Sequence, residues 1–321
     1  MKRTTSTSTK TERERCTTEG QRQFPSLPWG QATDSSLGWD NIVLAVGEEW
    51  IFRFPRTLQN ARQLEKETRF LPLLSSCLHL AVPSFHFVGK GHAGVRGPFV
   101  GYRRLPGEPL SLQRLDPSKR PKVAQALGRL LSDLARIPIR EVLPSDLPGG
   151  APEAWRRGFV RCDRLWSRTL LPQLPPDVRR RVREDWAWFE STRSNFEFTP
   201  VVLHRDLGPD HILWDGERVS GIIDWGDACI GDPAFELTGL GFLGRRSLDA
   251  IARGRANLMG RDWQDRVAFY RRRVPQIHAV YARGLRDLRL FESNVREIRA
   301  SYEGDLRYGR PERFQSSTNH R

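Results

Sequence analysis

Residues 204–232 read His204-Arg205-Asp206-Leu207-Gly208-Pro209-Asp210-His211-Ile212-Leu213-Trp214-Asp215-Gly216-Glu217-Arg218-Val219-Ser220-Gly221-Ile222-Ile223-Asp224-Trp225-Gly226-Asp227-Ala228-Cys229-Ile230-Gly231-Asp232. Two carboxylates, Asp206 and Asp224, stand at the ends of short apolar runs. Val201–Leu203, 211–214 and 218–223 read as short strands, and Asp215-Gly216 has the chemistry of a tight hairpin turn. Antiparallel pairing would gather Asp206, His211 and Asp224 at one end of a small sheet. One carboxylate there can take a hydroxyl proton while another holds a metal and phosphates, two parts that phosphoryl transfer needs. His211 is a candidate second metal ligand or a hydrogen-bond donor, although Mg2+ prefers oxygen. Each residue also has a plain reading. Asp206 alone could be a turn or cap residue, Asp227 and Asp232 caps or loop-ordering residues, and His211 a satisfied buried histidine.

Upstream, residues 38–54 predict a β-hairpin. Ile42, Leu44 and Val46 alternate, 47–49 turn the chain, and Trp50, Phe52 and Phe54 alternate again, so Arg53 faces away from the two phenylalanines. Residues 61–74 read as a helix with Leu64, Leu71 and Leu74 on one stripe and Pro72 as a possible kink. Glu67 falls beside that stripe. It is either an inward carboxylate that needs a partner or a surface residue at the stripe's edge. Strands follow at 82–88 and 99–105, and Pro106-Gly107 breaks the chain.

Beyond the break the pattern turns helical: 121–137, then segments marked by Trp155, Phe159, Leu165 and Trp166, and by Val182, Trp186 and Phe189. Aromatic residues at this spacing read as core. From residue 234 onward the chain is helical again. The organisation is a β-rich N-terminal lobe over 31–104 and a larger, mainly helical lobe over 105–309. They are flanked by a basic, Ser/Thr-rich disordered tail at 1–30 and a frayed tail at 310–321.

The 321 residues carry a formal net charge of +14. The arginine runs 179–181 and 271–273 sit in helical segments and read as solvated faces, with an acidic partner as the alternative. No apolar stretch approaches the ~18 residues of a membrane span, and the N-terminus lacks the apolar core of a secretory signal. Four cysteines without metal or CxxC spacing read as reduced thiols of a cytoplasmic protein.

The 204–232 segment resembles the catalytic core of the aminoglycoside phosphotransferase family, which shares its fold with protein kinases. The family pattern is His-Gly-Asp-Leu, then Asn or His four residues on, then Ile-Asp-Trp/Phe-Gly-Asp and Gly-Asp-Pro-Ala. Here stand His204-Arg205-Asp206-Leu207, His211, Ile223-Asp224-Trp225-Gly226-Asp227 and Gly231-Asp232-Pro233-Ala234. The resemblance implies an α+β, two-lobed protein-kinase-like fold. It implies Asp206 as catalytic base, Asp224 as Mg2+ ligand and His211 in the second metal position. It also implies Arg53 on nucleotide phosphates with Glu67 as its helix partner, and Gly101, Tyr102, Arg103 and Arg104 as the lobe-joining segment beside the base of ATP or GTP. Arg205 replaces the usual Gly, Arg53 the usual Lys, and His211 the usual Asn.

His-Arg-Asp-Leu is also the protein-kinase form. However, no G-x-G-x-x-G-x-V loop lies near residue 40, no Ala-Pro-Glu follows Asp224, and Gly231-Asp232-Pro233 comes too early for an activation segment. The expected activity is transfer of the γ-phosphate of ATP or GTP to a small-molecule hydroxyl, first of all on an aminoglycoside-type antibiotic. A macrolide or a metabolite alcohol is the alternative acceptor, and a non-catalytic nucleotide-binding pseudokinase the alternative protein. Asp206, Asp210, Asp227, Asp232 and Glu236 offer local negative charge to a polycationic acceptor, against the basic whole. No nucleic-acid motif is present and no membrane partner is expected. The oligomeric state is not legible.

Overall fold

The computed structural model describes residues 10–36, 40–92, 94–113, 115–284 and 286–303. The expected start of the hairpin at Gly38, the first nine residues of the expected tail and the frayed end at 310–321 lie outside these. The chain divides into two compact units: Met1–Leu110, Arg140–Leu147 and Asp210–Asp227 form the first, and Ser111–Ile139, Pro148–Pro209 and Ala228–Arg321 the second.

In the first unit, β1 (Thr33–Ser36), β2 (Asn41–Val46), β3 (Trp50–Pro55), β4 (Phe85–Gly89) and β5 (Phe99–Arg103) form an antiparallel sheet of order β1-β2-β3-β5-β4. The two-residue alternation decides its faces. Ile42, Leu44, Val46, Phe52, Phe54 and Phe99 join one buried cluster, and Arg53 points to the other side. Helix α2 (Leu58–Cys77) covers the Arg53 side. Thr57 caps it by accepting the Asn60 backbone N–H, and it continues through Pro72.

The expected disordered tail contains a helix, α1 (Lys10–Gln23). Its composition is polar, but Cys16 is buried and joins the Phe52 cluster with Trp29. Gly20 lets the Trp29 ring approach so closely that a Cβ there would sit 2.2 Å from it. Gln23 ties the helix to Lys90 through both its amide oxygen and nitrogen. A short apolar edge on an otherwise charged helix gave no readable period.

A three-stranded sheet, β6 (Glu108–Pro109), β8 (Ile212–Trp214) and β9 (Val219–Ile222) in the order β6-β8-β9, completes the first unit. Asp215 is the turn residue it resembled: its Oδ1 accepts the N–H groups of Glu217 and Arg218, and Gly216 takes φ +103°. These pairings are why the expected cut at residue 104 does not describe the units.

The second unit holds α3 (Arg120–Arg136), α5 (Pro152–Thr169), α6 (Pro176–Ser191), α7 (Arg245–Arg253), α8 (Ala256–Met259), α9 (Trp263–Gly284) and α10 (Leu288–Glu303); the short α4 (Ile139–Val142) spans the boundary between the units. Strand β7 (Val201–Leu203) pairs with β10 (Cys229–Gly231), not with β8 or β9 as the sequence suggested. Cys-Ile-Gly is too short to announce itself as a strand. The aromatic residues form the expected core: Trp186, Phe189, Phe269 and Tyr270 are buried, and Phe189 stacks on Phe269 at 4.0 Å.

The 271–273 run is not a solvated face. Arg271 and Arg273 are buried, and both Arg272 and Arg273 pair with Asp185 at 2.6 Å. Arg273 also lies over the Phe269 ring at 4.3 Å, so aromatic packing offsets part of its desolvation. Among the described residues no helix is long and apolar enough to cross a membrane.

Candidate active site

The first unit brings Arg53, Glu67, His211 and Asp224 together. Arg53 Nη1 donates to Glu67 Oε2 at 2.7 Å, and Nη2 to Glu67 Oε1 at 3.1 Å and to Asp224 Oδ1 at 3.0 Å. Glu67 is wholly buried and Arg53 nearly so, which settles Glu67 as an inward, paired carboxylate. One planar fork grips Glu67 with two donors and still reaches Asp224, a geometry open to Arg and closed to Lys. Burial works against the Arg53 charge, but Glu67 and Asp224 outweigh it and hold the guanidinium more basic than usual.

Asp224 follows β9, and the Ile223 N–H donates to the His211 carbonyl at 3.0 Å, which sets the two side chains beside each other. His211 Nε2 is 3.7 Å from Asp224 Oδ2, and the Asp224 side chain is 44% exposed. Asp224 sits at φ +62°, a left-handed conformation that costs a non-glycine residue about 1 kcal/mol. A further carboxylate, missed in the sequence, stands near. Burial first, then the charges of Asp227 and Asp224, raise the Asp40 carboxyl above its ordinary value. Among the described residues no three histidine, cysteine or carboxylate side chains form a metal site by themselves, and the half-exposed Asp224 carboxylate beside His211 suits a divalent cation that brings nucleotide phosphates as its other ligands. Asp40 belongs to none of the motifs that the sequence singles out.

Of the residues expected to join the lobes, Gly101, Tyr102 and Arg103 lie on β5 and Arg104 follows it. Gly101 pairs with Phe52 and Phe87, and Tyr102 with Ile51 and Phe85. A side chain at Gly101 would strike the Phe52 ring, its Cβ at 2.5 Å, so this glycine serves packing. The backbone N–H of Arg104 donates to the Glu49 carbonyl at 2.7 Å and is therefore spent within the protein. Arg103 pairs with Glu49 and lies over the Trp50 ring at 5.1 Å.

Asp206 belongs to the second unit, on the loop that leaves β7. The expectation that it joins His211 and Asp224 on one small sheet is corrected by the β7–β10 pairing. Its loop is fixed from within that unit. His204 is fully buried and its Nδ1 accepts the Asp206 N–H at 3.2 Å. Arg205 takes φ +73°, which accounts for the glycine of the family pattern, and its N–H donates to Glu236 Oε1 at 2.8 Å.

Glu236 and Asp232 were counted as charge open to a cationic acceptor. Instead both are buried. Asp232 Oδ2 receives Arg266 at 2.6 Å and the Tyr270 hydroxyl at 2.8 Å, and its Oδ1 accepts the Ala234 N–H.

Burial lifts Glu236 to about 7, with the Arg205 N–H and the Arg255 charge opposing. A raised folded-state value means that the stability the group contributes is fully present below 4.5 and is lost as pH rises through about 7. Glu236→Gln is therefore expected to flatten a loss of about 3 kcal/mol over that window. Urea midpoints of both proteins from pH 4 to 8 check this, and parallel curves would show that Glu236 does not titrate there.

A family described as "Phosphotransferase enzyme family" matches residues 33–270. Viomycin phosphotransferase of Streptomyces vinaceus is 30% identical over 207 residues, 62% of this chain and 69% of that protein. Homoserine kinase of Methylobacterium nodulans is 32% identical over 117 residues, 35% of this chain and only 33% of that protein. Among solved structures, the GDP and kanamycin complex of APH(2")-IIIa superposes with a TM-score of 0.82 at 23% identity, covering 90% of this chain and 99% of that one. The macrolide 2'-phosphotransferase MphH of Brachybacterium faecium gives 0.68 at 21% identity, covering 87% and 96%. The fold is thus the α+β, protein-kinase-like fold, with a small β-rich part and a larger helical one.

Proposed function

The chain belongs to the phosphotransferase enzyme family, and from that premise we propose that this small-molecule kinase moves the γ-phosphoryl group of ATP or GTP to a hydroxyl, with Asp206 as base and Mg2+ held by Asp224 and His211. The observation that carries the reading is the Arg53–Glu67–Asp224 cluster, a buried cation pinned by one carboxylate and facing another. In the proposed reaction Asp206 accepts the acceptor's hydroxyl proton as the oxygen attacks phosphorus. Arg53 neutralises nucleotide phosphate charge, and Glu67 keeps its fork in place. Asp224 and His211 would hold Mg2+, whose chemistry there would be neutralisation of phosphate charge.

For the acceptor, an aminoglycoside-type antibiotic is the first reading, supported by the likeness to viomycin phosphotransferase and to the kanamycin-bound structure. A small metabolite alcohol is the second. It is favoured by the local match to homoserine kinase and by the burial of Asp232 and Glu236, which leaves less exposed negative charge for a polycation. The test is nucleotide consumption with ATP and with GTP against kanamycin, viomycin, a macrolide and homoserine, with phosphorylated product identified by mass. Turnover of one antibiotic is the expected result, and turnover of homoserine alone would move the assignment to the second reading. Tight Mg-ATP binding with no consumption across the panel would favour the non-catalytic alternative.

A further inference from the structure

One face of α2 meets successive residues of the turn after β9. Gln63, Lys66, Glu67 and Phe70 follow the i, i+3, i+4, i+7 spacing of a single helical face. Gln63 Nε2 reaches Asp227 Oδ1 at 3.4 Å. Lys66 Nζ donates to the Gly226 carbonyl at 2.5 Å. Glu67 holds Arg53, which bonds Asp224. Phe70 packs edge-on to the buried Trp225 at 6.2 Å. Three residues of the turn are thus engaged directly by α2, and Asp224 through the Arg53 that α2 holds.

Lys66 is the unexpected member, because it is only 8% exposed. A buried ammonium is costly unless it is hydrogen-bonded, and this one is spent on a backbone carbonyl two residues from Asp224. Asp224 itself is in a left-handed conformation, so something must hold the turn against relaxation. Without the Lys66 donor the Gly226 carbonyl loses this bond, and the turn loses the anchor between Trp225 and Asp227.

We propose that Lys66 is a positioning residue for the metal: by holding the Gly226 carbonyl, it fixes the turn that presents the Asp224 carboxylate. This rests on the reading of Asp224 as a metal ligand. The test uses Mn2+ as probe, titrated by electron paramagnetic resonance in the presence of a non-hydrolysable ATP analogue. Lys66→Met is expected to weaken Mn2+ binding about 10-fold, the usual consequence of losing a group that orients a metal ligand. Nucleotide affinity measured without metal should stay unchanged, and Lys66→Arg should regain part of the Mn2+ affinity.

Asp224→Asn separates the two readings. If it weakens Mn2+ and a folded Lys66→Met does not, the positioning role is overturned. If Asp224→Asn leaves Mn2+ binding unchanged, the metal reading itself falls and takes the Lys66 proposal with it. Should Lys66→Met not fold, Lys66→Leu replaces it, since it too removes the donor. Failure of both to fold would make Lys66 a structural cation and overturn the proposal.

Discussion

Asp206→Ala is expected to lower turnover about 10^3-fold, the middle of the range for a positioned general base. Nucleotide affinity should be nearly unchanged. The loop also has backbone anchors that this substitution leaves in place. The backbone of Asp206 is bonded to His204, and that of Arg205 to Glu236. Single-turnover phosphate transfer reads the chemical step, and calorimetric titration of Mg-ATP reads binding. Turnover retained within a few-fold would remove Asp206 from the role of base.

Glu67→Ala should be the most damaging single change to stability in the first unit. It leaves Arg53 buried with one carboxylate where it had two. Breaking a buried pair by removing one partner costs about 3–5 kcal/mol, because the remaining charge stays desolvated. The remaining guanidinium would also be drawn towards Asp224, so activity should fall with stability. Arg53→Met combined with Glu67→Leu is expected to regain most of the stability and none of the activity. Urea unfolding of the two variants beside the wild type measures both effects. A Glu67→Ala midpoint equal to wild type would mean that the pair does not hold the sheet to the helix.

Much of this was legible in the sequence because it rests on short periods and fixed chemistry. The alternation of Ile42, Leu44, Val46 and of Phe52, Phe54 gave the β2–β3 hairpin and the direction of Arg53. The helical stripe around Glu67 left two readings, and only the 2.7 Å bond to Arg53 decided between them. What escaped depends on long-range partners. β10 is three residues with a glycine, visible only beside β7. The arginines at 272 and 273 look solvated until Asp185, 87 and 88 positions away, and the aromatic rings are placed around them. Glu236 looked like surface charge and is instead the clamp on a strained backbone. α1 was hidden by its own charge, which outweighs one cysteine and the glycine under Trp29.

The pairing of β6 with β8 joins residues 108–109 to 213–214, about a hundred positions apart, with most of the second unit's first half between them. Closing so long a loop is entropically costly and slow relative to local contacts. During synthesis, the five-stranded sheet and α2 can leave the ribosome and assemble early. The segment bearing His211 and Asp224 arrives only after the intervening helices. Arg53 and Glu67 therefore precede the third member of their cluster in the order of synthesis. A nascent chain stalled before residue 210 would lack both His211 and Asp224, so topology makes the Arg53–Glu67–Asp224 cluster one of the last parts of its unit to be completed.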